Sequence, residues 1–168
     1  ATGGISPGSR LVLLEAKEMA ATGKHRQALR AFDRILNDRD HRPLWDEAII
    51  DKIRVLGDTG KASSAIREAD RAARRVEFAH MTSQLQWWTI ILYAGPEGNL
   101  RQAINRAEAL AQGDRNDAYV ERAAYALGIM HMWNKNHSRA RRALEDYLWR
   151  YETDGRFLTA ARKHLNEL

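Results

Sequence analysis

A unit of about 37 residues recurs four times along the chain, and this repeat constrains the fold more than any other feature of the sequence. Each unit has an anchor alanine, and the spacings between consecutive anchors are 37, 38 and 37 residues. The four anchors are Ala28, Ala65, Ala103 and Ala140. Five positions before its anchor each unit has a turn residue, and these residues are Gly23, Gly60, Gly98 and Lys135. Repeats of this length are typical of stacked supersecondary units.

The pattern around each anchor predicts a helix, a tight turn and a second helix. Glycine ends a helix at low cost because it adopts the left-handed conformation. The small alanine then lets the two antiparallel helices approach closely, and an aliphatic or aromatic residue four positions later fills the adjoining space. One helix pair cannot cover its own apolar face, whereas stacked pairs can. The sequence therefore predicts an all-α, right-handed α-α superhelix of about four helix pairs.

Apolar residues recur at helical spacing throughout the chain, and no segment shows the sustained alternation of a strand. This periodicity predicts helices near 9–22, 25–38, 43–58, 61–77, 80–95, 99–112, 116–134, 137–151 and 156–167. On this basis residues 1–9 form a flexible lead-in and residues 10–168 a single domain. Its repeats cover about 10–42, 43–79, 80–114 and 115–154, followed by a capping helix within 155–168.

The composition argues against the common catalytic and metal-binding chemistries. The chain has 168 residues and no cysteine, so disulfides, thiolate metal sites and a cysteine nucleophile are excluded. The six histidines form no pair at helical ligand spacing, and no phosphate-binding or serine-nucleophile motif occurs. No apolar run approaches the roughly 20 residues of a membrane span. We predict no enzyme activity, no catalytic residue, no cofactor and no metal.

The repeat resembles the tetratricopeptide repeat (TPR), in a divergent form that covers roughly residues 10–168. The turn glycines and the four anchor alanines match that motif in register. Further matches are the bulky Trp87, the large-small pair Leu127 and Gly128, and the aromatic Phe32. The period exceeds the usual length of about 34 residues, and the proline that often closes a repeat is missing. The resemblance implies a scaffold that binds a protein or peptide in its concave groove.

The C-terminal segment 140–168 resembles the final repeat and cap of bacterial envelope TPR proteins. That group includes lipoproteins of the BamD type, periplasmic partners of the Tol–Pal system and repeat tails of bacterial membrane regulators. The matching positions are Tyr147, Leu148, Tyr151, Ala161, Arg162, Leu165 and Leu168. Glu152 replaces the expected proline, and the lipid-bearing cysteine is absent. This resemblance favours a periplasmic or envelope-associated location over a cytoplasmic one.

In proteins of the TPR family the exposed groove positions are the second, fifth, ninth, twelfth and thirteenth of each repeat. Counting the turn residue as the fifteenth transfers these positions to Arg10, Leu13, Lys17, Glu47, Ile50, Arg54, Leu85, Trp88, Leu92, Arg122, Tyr125, Ile129, Met132 and Trp133. Arg10, Lys17, Arg54 and Arg122 would bind carboxylates of an acidic or C-terminal peptide. Trp88, Tyr125 and Trp133 would be its apolar anchors. The same count puts Trp87 in the core.

Four questions stay open at the level of sequence. The aromatic residues of the groove can instead pack between repeats, or against a helix from the same protein or a second copy. The net charge of +5 and the pI near 9.7 make nucleic acid a rival ligand. Basic and acidic residues are interleaved along the chain, however, and this argues against nucleic acid. A regulatory domain of a larger enzyme or transcription regulator is a further alternative. The oligomeric state stays undetermined.

Overall fold

The predicted all-α architecture is confirmed. In a computed structural model that describes residues 4–168, the described part of the chain contains helices and turns and no β-strand. Its α-helices are α1 (Pro7–Ala21), α2 (His25–Asn37), α3 (Trp45–Asp58), α4 (Ala62–Ala73), α5 (Thr82–Ala94), α6 (Leu100–Ala111), α7 (Ala118–Trp133), α8 (His137–Arg150) and α9 (Leu158–Asn166). Two 3₁₀ segments, Arg39–Leu44 and Val76–Met81, precede α3 and α5.

Most helix boundaries differ from the expected ones by one to four residues, and three of the differences have a clear local cause. Helix α1 begins at Pro7, where Ser6 caps it by accepting a hydrogen bond from the Ser9 N–H, so only residues 4–6 of the expected lead-in precede it among the described residues. The expected helix 43–58 begins at Trp45, because Pro43 belongs to a 3₁₀ segment. The expected helix 61–77 ends at Ala73, since the backbone of Arg75 is extended. Residues 1–3 lie outside the described part of the chain.

The four turns have the geometry that the repeat predicts. Left-handed backbone occurs at the four turn residues, with φ values of 80° at Gly23, 77° at Gly60, 64° at Gly98 and 56° at Lys135. In the described residues, Lys135 is the one non-glycine residue with positive φ. The four anchor alanines are fully buried, each with 0% exposure. The repeat therefore sets both the turn conformation and the close approach of paired helices.

The chain divides into two compact units, and the first extends to Leu85. In this unit α1 packs on α2, α2 on α3, and α3 on α4. Lys52 of α3 joins its neighbours, because its ammonium lies 2.7 Å from Asp33 of α2 and 3.2 Å from Glu68 of α4. Trp45 closes the α2–α3 corner by donating its indole N–H to the Ile35 carbonyl at 2.9 Å.

The buried face of α1 differs from the expected one. The i, i+3 spacing of Leu11 and Leu14 is typical of a packed helix face, but the two side chains are 61% and 52% exposed. Leu13, expected in the groove, is 3% exposed and lies on the buried face together with Ala16. Successive residues of a helix are 100° apart, so a face centred on Leu13 and Ala16 turns Leu11 and Leu14 away from the core. Leu13 and the small Ala16, rather than Leu11 and Leu14, therefore form the buried face of α1.

The second unit comprises residues 86–168 and contains the last residues of α5 together with α6 to α9. Helix α6 packs on α7, α7 on α8, and α8 on α9. A β-carbon on Gly128 of α7 would lie 2.5 Å from Leu144 Cδ2, so glycine lets α7 and α8 approach closely there. The arrangement of one domain over 10–168 with a cap at 155–168 stays a prediction.

Candidate functional site

A large apolar cavity lies in the second unit, between α5 and α7. Its volume is about 650 Å³, which is within the usual range of ligand-binding pockets. We call it the α5/α7 cavity, and its lining residues are Trp87, Ile90, Ile91, Ala94, Gly95, Arg122, Tyr125, Ala126, Ile129, Met130, Trp133 and Phe157.

Helix α7 forms one wall of the α5/α7 cavity with a single stripe of residues. Arg122, Tyr125, Ala126, Ile129 and Trp133 follow the i, i+3, i+4, i+7, i+11 spacing of one helix face. With a rise of 1.5 Å per residue, this stripe runs for about 16 Å along α7. The α5 wall has the same kind of spacing, with Trp87, Ile90, Ile91 and Ala94 at i, i+3, i+4 and i+7. Two helical walls with small residues at Ala126 and on α5 leave the space between them open.

Phe157 closes the wall at the end of the cavity where α7 begins. The rings of Phe157 and Tyr125 stack with centroids 4.7 Å apart and an angle of 8° between their planes. Tyr147 meets Tyr125 edge-on at 5.8 Å. Burial raises the pKa of Tyr125, so its hydroxyl stays protonated at neutral pH. This end of the cavity is therefore aromatic and fixed by packing, which is a suitable surface for an apolar side chain.

Arg122 is the one side chain in the lining that carries a charge at neutral pH. Its guanidinium lies over the Tyr119 ring at 5.0 Å. In residues 4–168 the structure places no carboxylate within salt-bridge distance of it. A cation at the edge of an apolar cavity, without a carboxylate of its own, is suited to bind an anionic group of a ligand.

The structure brings three of the predicted groove residues together in this cavity, namely Arg122, Tyr125 and Trp133, with Ile129 between them. On α5 the cavity lining is offset by one residue from the predicted groove positions, whose role in binding stays a prediction. Trp87 lines the cavity and Trp88 does not. Leu85 and Leu92, also expected in the groove, are 0% and 3% exposed. The tryptophan assigned to the core is therefore the one that faces the cavity.

A one-residue insertion in the α5–α6 turn explains this offset. In the other three turns the residue after the turn residue donates to a carbonyl five positions back, in the pairs Lys24–Met19, Lys61–Leu56 and Asn136–His131. In the α5–α6 turn the corresponding bond spans six positions, from the Asn99 N–H to the Tyr93 carbonyl. Counting back from Gly98 therefore shifts every position of α5 by one. The signal in the sequence was the spacing from Ala65 to Ala103, which is one residue longer than the other two anchor spacings.

Comparison with known proteins supports the fold. No protein-family model matches the chain, and no curated protein matches it. Two solved structures are similar. The MamA RS-1 ArsTM double mutant has a TM-score of 0.58 and 16% identity, with 88% of this chain and 78% of that chain covered. A crystal structure of MamA, a TPR-containing protein, has a TM-score of 0.52 and 17% identity, with 90% and 91% covered.

The chain has a TPR-like fold. The predicted fold class, an α-solenoid of consecutive helix pairs, is thereby confirmed. At 16% and 17% identity the likeness concerns the fold alone.

Lys17 and Arg54, two of the predicted basic groove residues, lie in the first unit, where carboxylates of the same chain engage them. The Lys17 ammonium is 2.7 Å from Glu47 and 2.7 Å from Asp51, and Arg54 is 3.9 Å from Asp51. Burial opposes the charge on Lys17, but Asp51 and Glu47 together outweigh it and raise the pKa of Lys17. Arg10 lies exposed in the first turn of α1. A role of these three residues in binding a partner stays a prediction.

A second depression of the TPR-like fold, about 610 Å³ in volume, lies between α6, α7 and α8 and is polar. His131 is a buried residue of its lining and is 5% exposed. Burial lowers the pKa of His131, Glu108 at 4.0 Å from its Nε2 raises it, and Arg139 lowers it further. His131 has no distinctive spacing in the sequence, so only the structure places it in the α7–α8 interface region.

The described residues contain no group of three or more histidine, aspartate or glutamate side chains that is placed to hold a metal ion. Over the same part of the chain, each helix is too short or too polar to pass through a lipid bilayer.

Proposed function

We propose that the chain is a non-enzymatic protein-interaction module and that a segment of a partner protein binds in the α5/α7 cavity. The observation that carries this proposal is Trp133, a large aromatic side chain that lines the cavity and is 64% exposed. An aromatic residue of that size in an apolar cavity is a typical binding anchor, because its burial by a partner removes a large apolar area from water.

The exposure of Trp133 also bears on the alternative that the protein fills its own groove. If the aromatic side chains of α7 only packed between repeats, Trp133 would be buried like Tyr147, which is 1% exposed. Ile91, on the opposite wall, is 38% exposed. These two exposed apolar side chains favour an open cavity that a partner covers.

Arg122 favours a partner segment that carries a carboxylate close to its apolar residues. The contacts of other basic side chains argue against nucleic acid. Lys17, Lys52 and Arg115 are engaged with carboxylates at 2.6–2.7 Å, and such pairs are not available to neutralise phosphates. The proposed ligand is therefore an apolar, partly acidic segment of a protein.

The proposed setting is an assembly of the bacterial cell envelope. Its support is the resemblance of the C-terminal residues to envelope TPR proteins, and those residues occupy packed positions: Tyr147, Tyr151 and Ala161 are 1%, 2% and 0% exposed. Fractionation of the native cells, with an antibody against this chain, tests the setting. Recovery from the cytoplasm rather than from the envelope or periplasmic fraction would overturn it.

The binding proposal is tested by selecting random 16-residue peptides displayed on phage against the full chain. Synthetic copies of the enriched peptides are then titrated by fluorescence anisotropy. We expect Trp133→Ala to weaken binding by about 30-fold, as for a binding hot spot. Trp149→Ala is the matched control, because Trp149 is 81% exposed and lies outside the cavity. Equal effects of the two substitutions, or none, would contradict the proposal.

A further inference from the structure

We infer that the segment bound in the α5/α7 cavity is an amphipathic α-helix that runs antiparallel to α7 and places a carboxylate near its C-terminal end on Arg122. The inference rests on the proposed function, since it specifies what the same cavity binds. It follows from the polar groups that the cavity lacks, from the length of its α7 wall and from the position of its single charge.

The cavity offers few partners to the backbone of a ligand. The polar groups of the lining side chains are the Arg122 guanidinium, the Tyr125 hydroxyl and two indole N–H groups. The walls are helices, and their backbone N–H and C=O groups are bonded within each helix. An extended segment would turn unpaired N–H and C=O groups toward this surface. A helix satisfies these groups internally and presents only side chains, so the cavity favours a helical ligand.

The length of the α7 wall sets the length of the ligand helix. The stripe from Arg122 to Trp133 extends for about 16 Å along α7. A ligand helix of about 11 residues has the same length and makes about three turns past the cavity. Apolar residues at i, i+3, i+4 and i+7 would contact Ile129, Trp133 and the α5 wall, while the opposite face stays in water.

The position of Arg122 sets the direction of the ligand helix. Arg122 lies in the second turn of α7, and the other end of the stripe, at Trp133, contributes no charge to the lining. The C-terminal end of a helix carries a partial negative charge, and a carboxylate in its last turn adds to it. Placing that end on Arg122 pairs the opposite charges. The ligand then ends where α7 begins, which is the antiparallel direction.

The acidic residue next to Arg122 does not neutralise it. Glu121 is 7% exposed, and it accepts hydrogen bonds from the Tyr147 hydroxyl at 2.8 Å and from the Arg156 N–H at 2.6 Å. The carboxylate of Glu121 is therefore committed to contacts with α8 and with the segment that leads into α9. Arg122 keeps its charge available to a ligand.

The test uses the full chain and the selected 16-residue peptides. Each peptide is synthesised with benzoylphenylalanine at its N-terminal or its C-terminal end, and the photo-cross-linked residues are identified by mass spectrometry. We expect the C-terminal probe to react at residues 119–126 and the N-terminal probe at residues 129–133. Binding should fall by about tenfold in Arg122→Glu, because a charge-assisted bond becomes a repulsion. Arg141→Glu, an exposed arginine of α8 outside the cavity, is the matched control.

The outcomes separate this inference from the proposed function. Some peptides could lose affinity for Trp133→Ala and yet contain proline within the binding segment, and this result would overturn the helical ligand. Peptides that depend on Trp133 but bind Arg122→Glu unchanged would overturn the contact between the ligand carboxylate and Arg122. Both results would leave the binding cavity in place. The reversed cross-linking pattern would overturn the antiparallel direction. If no enriched peptide depends on Trp133, both the inference and the proposed function fail.

Discussion

The Tyr147 hydroxyl of α8 donates a hydrogen bond of 2.8 Å to the carboxylate of Glu121 on α7, and both side chains are buried. The same hydroxyl accepts the Phe157 N–H at 2.9 Å. Burial raises the pKa of Tyr147 well above its ordinary value, and Glu121 raises it further, so the hydroxyl remains a donor. This network fixes the start of α9, and with it Phe157, the residue that closes one end of the α5/α7 cavity.

Tyr147→Phe should destabilise the protein by about 1–3 kcal/mol, because it leaves the buried Glu121 carboxylate and the Phe157 N–H without a shared partner. Urea unfolding at neutral pH measures the change. Tyr119→Phe is the control, since the described part of the structure gives the Tyr119 hydroxyl no hydrogen bond. If the two substitutions cost the same, the network contributes nothing specific to stability.

Lys135→Gly should stabilise the protein by about 0.5–1 kcal/mol, because left-handed backbone costs a residue with a β-carbon more than it costs glycine. The φ of 56° at Lys135 is in that left-handed region. Chemical unfolding curves measure the gain. Lys163→Gly, within α9 and equally a lysine-to-glycine change, should instead destabilise by about 1 kcal/mol, since glycine is unfavourable inside a helix. A loss of stability in both variants would show that the turn is not strained.

Gly128→Ala should destabilise the protein by about 1–3 kcal/mol, because the new methyl group would collide with Leu144, which is fully buried. Leu144→Ala in the same chain should relieve part of that collision. A double-mutant cycle in urea measures the coupling between the two positions. Additive effects of the two substitutions would mean that α7 and α8 adjust without strain.

His131 should make the free energy of unfolding fall as the pH decreases below about 6.5, the ordinary pKa of histidine. Its pKa is lowered in the folded state, so the unfolded chain binds a proton at a higher pH than the folded protein does. The stabilisation is therefore complete above the unfolded pKa and is lost as the pH falls toward the folded one. Urea unfolding from pH 7.5 to 5 measures it, and His131→Gln should flatten the curve.

Glu108 gives an independent check on that prediction. The carboxylate of Glu108 raises the pKa of His131 and thus opposes the effect of burial. Glu108→Gln should therefore lower the pKa of His131 further, and proton NMR titration of the histidine ring measures it directly. A rise of that pKa in Glu108→Gln would contradict the assigned electrostatics.

The sequence predicted those features of the fold that depend on residue type and spacing. The turn residues need a left-handed backbone and the anchor alanines need close packing, so a nearly constant period was enough to place them, including Lys135. Counting positions back from Gly98 did not resolve which of two neighbouring α5 residues faces the cavity. A turn longer by one residue leaves the helix periodicity of α5 intact but rotates its assigned face by 100°. Phe157 reaches the cavity through contacts between distant positions, namely its hydrogen bond to Tyr147 and its stacking on Tyr125, which a sequence pattern does not reveal.

The corrected register predicts different roles for the two adjacent tryptophans. In a Trp133→Phe background, a peptide bound in the α5/α7 cavity should change the fluorescence of Trp87, because an indole is sensitive to the water that the peptide displaces. Adding Trp87→Phe should therefore abolish most of the remaining fluorescence change, whereas adding Trp88→Phe should preserve it. The conservative replacement by phenylalanine keeps an aromatic ring at each position and limits the loss of packing. The opposite result would restore the uncorrected register, with Trp88 in the groove and Trp87 in the core.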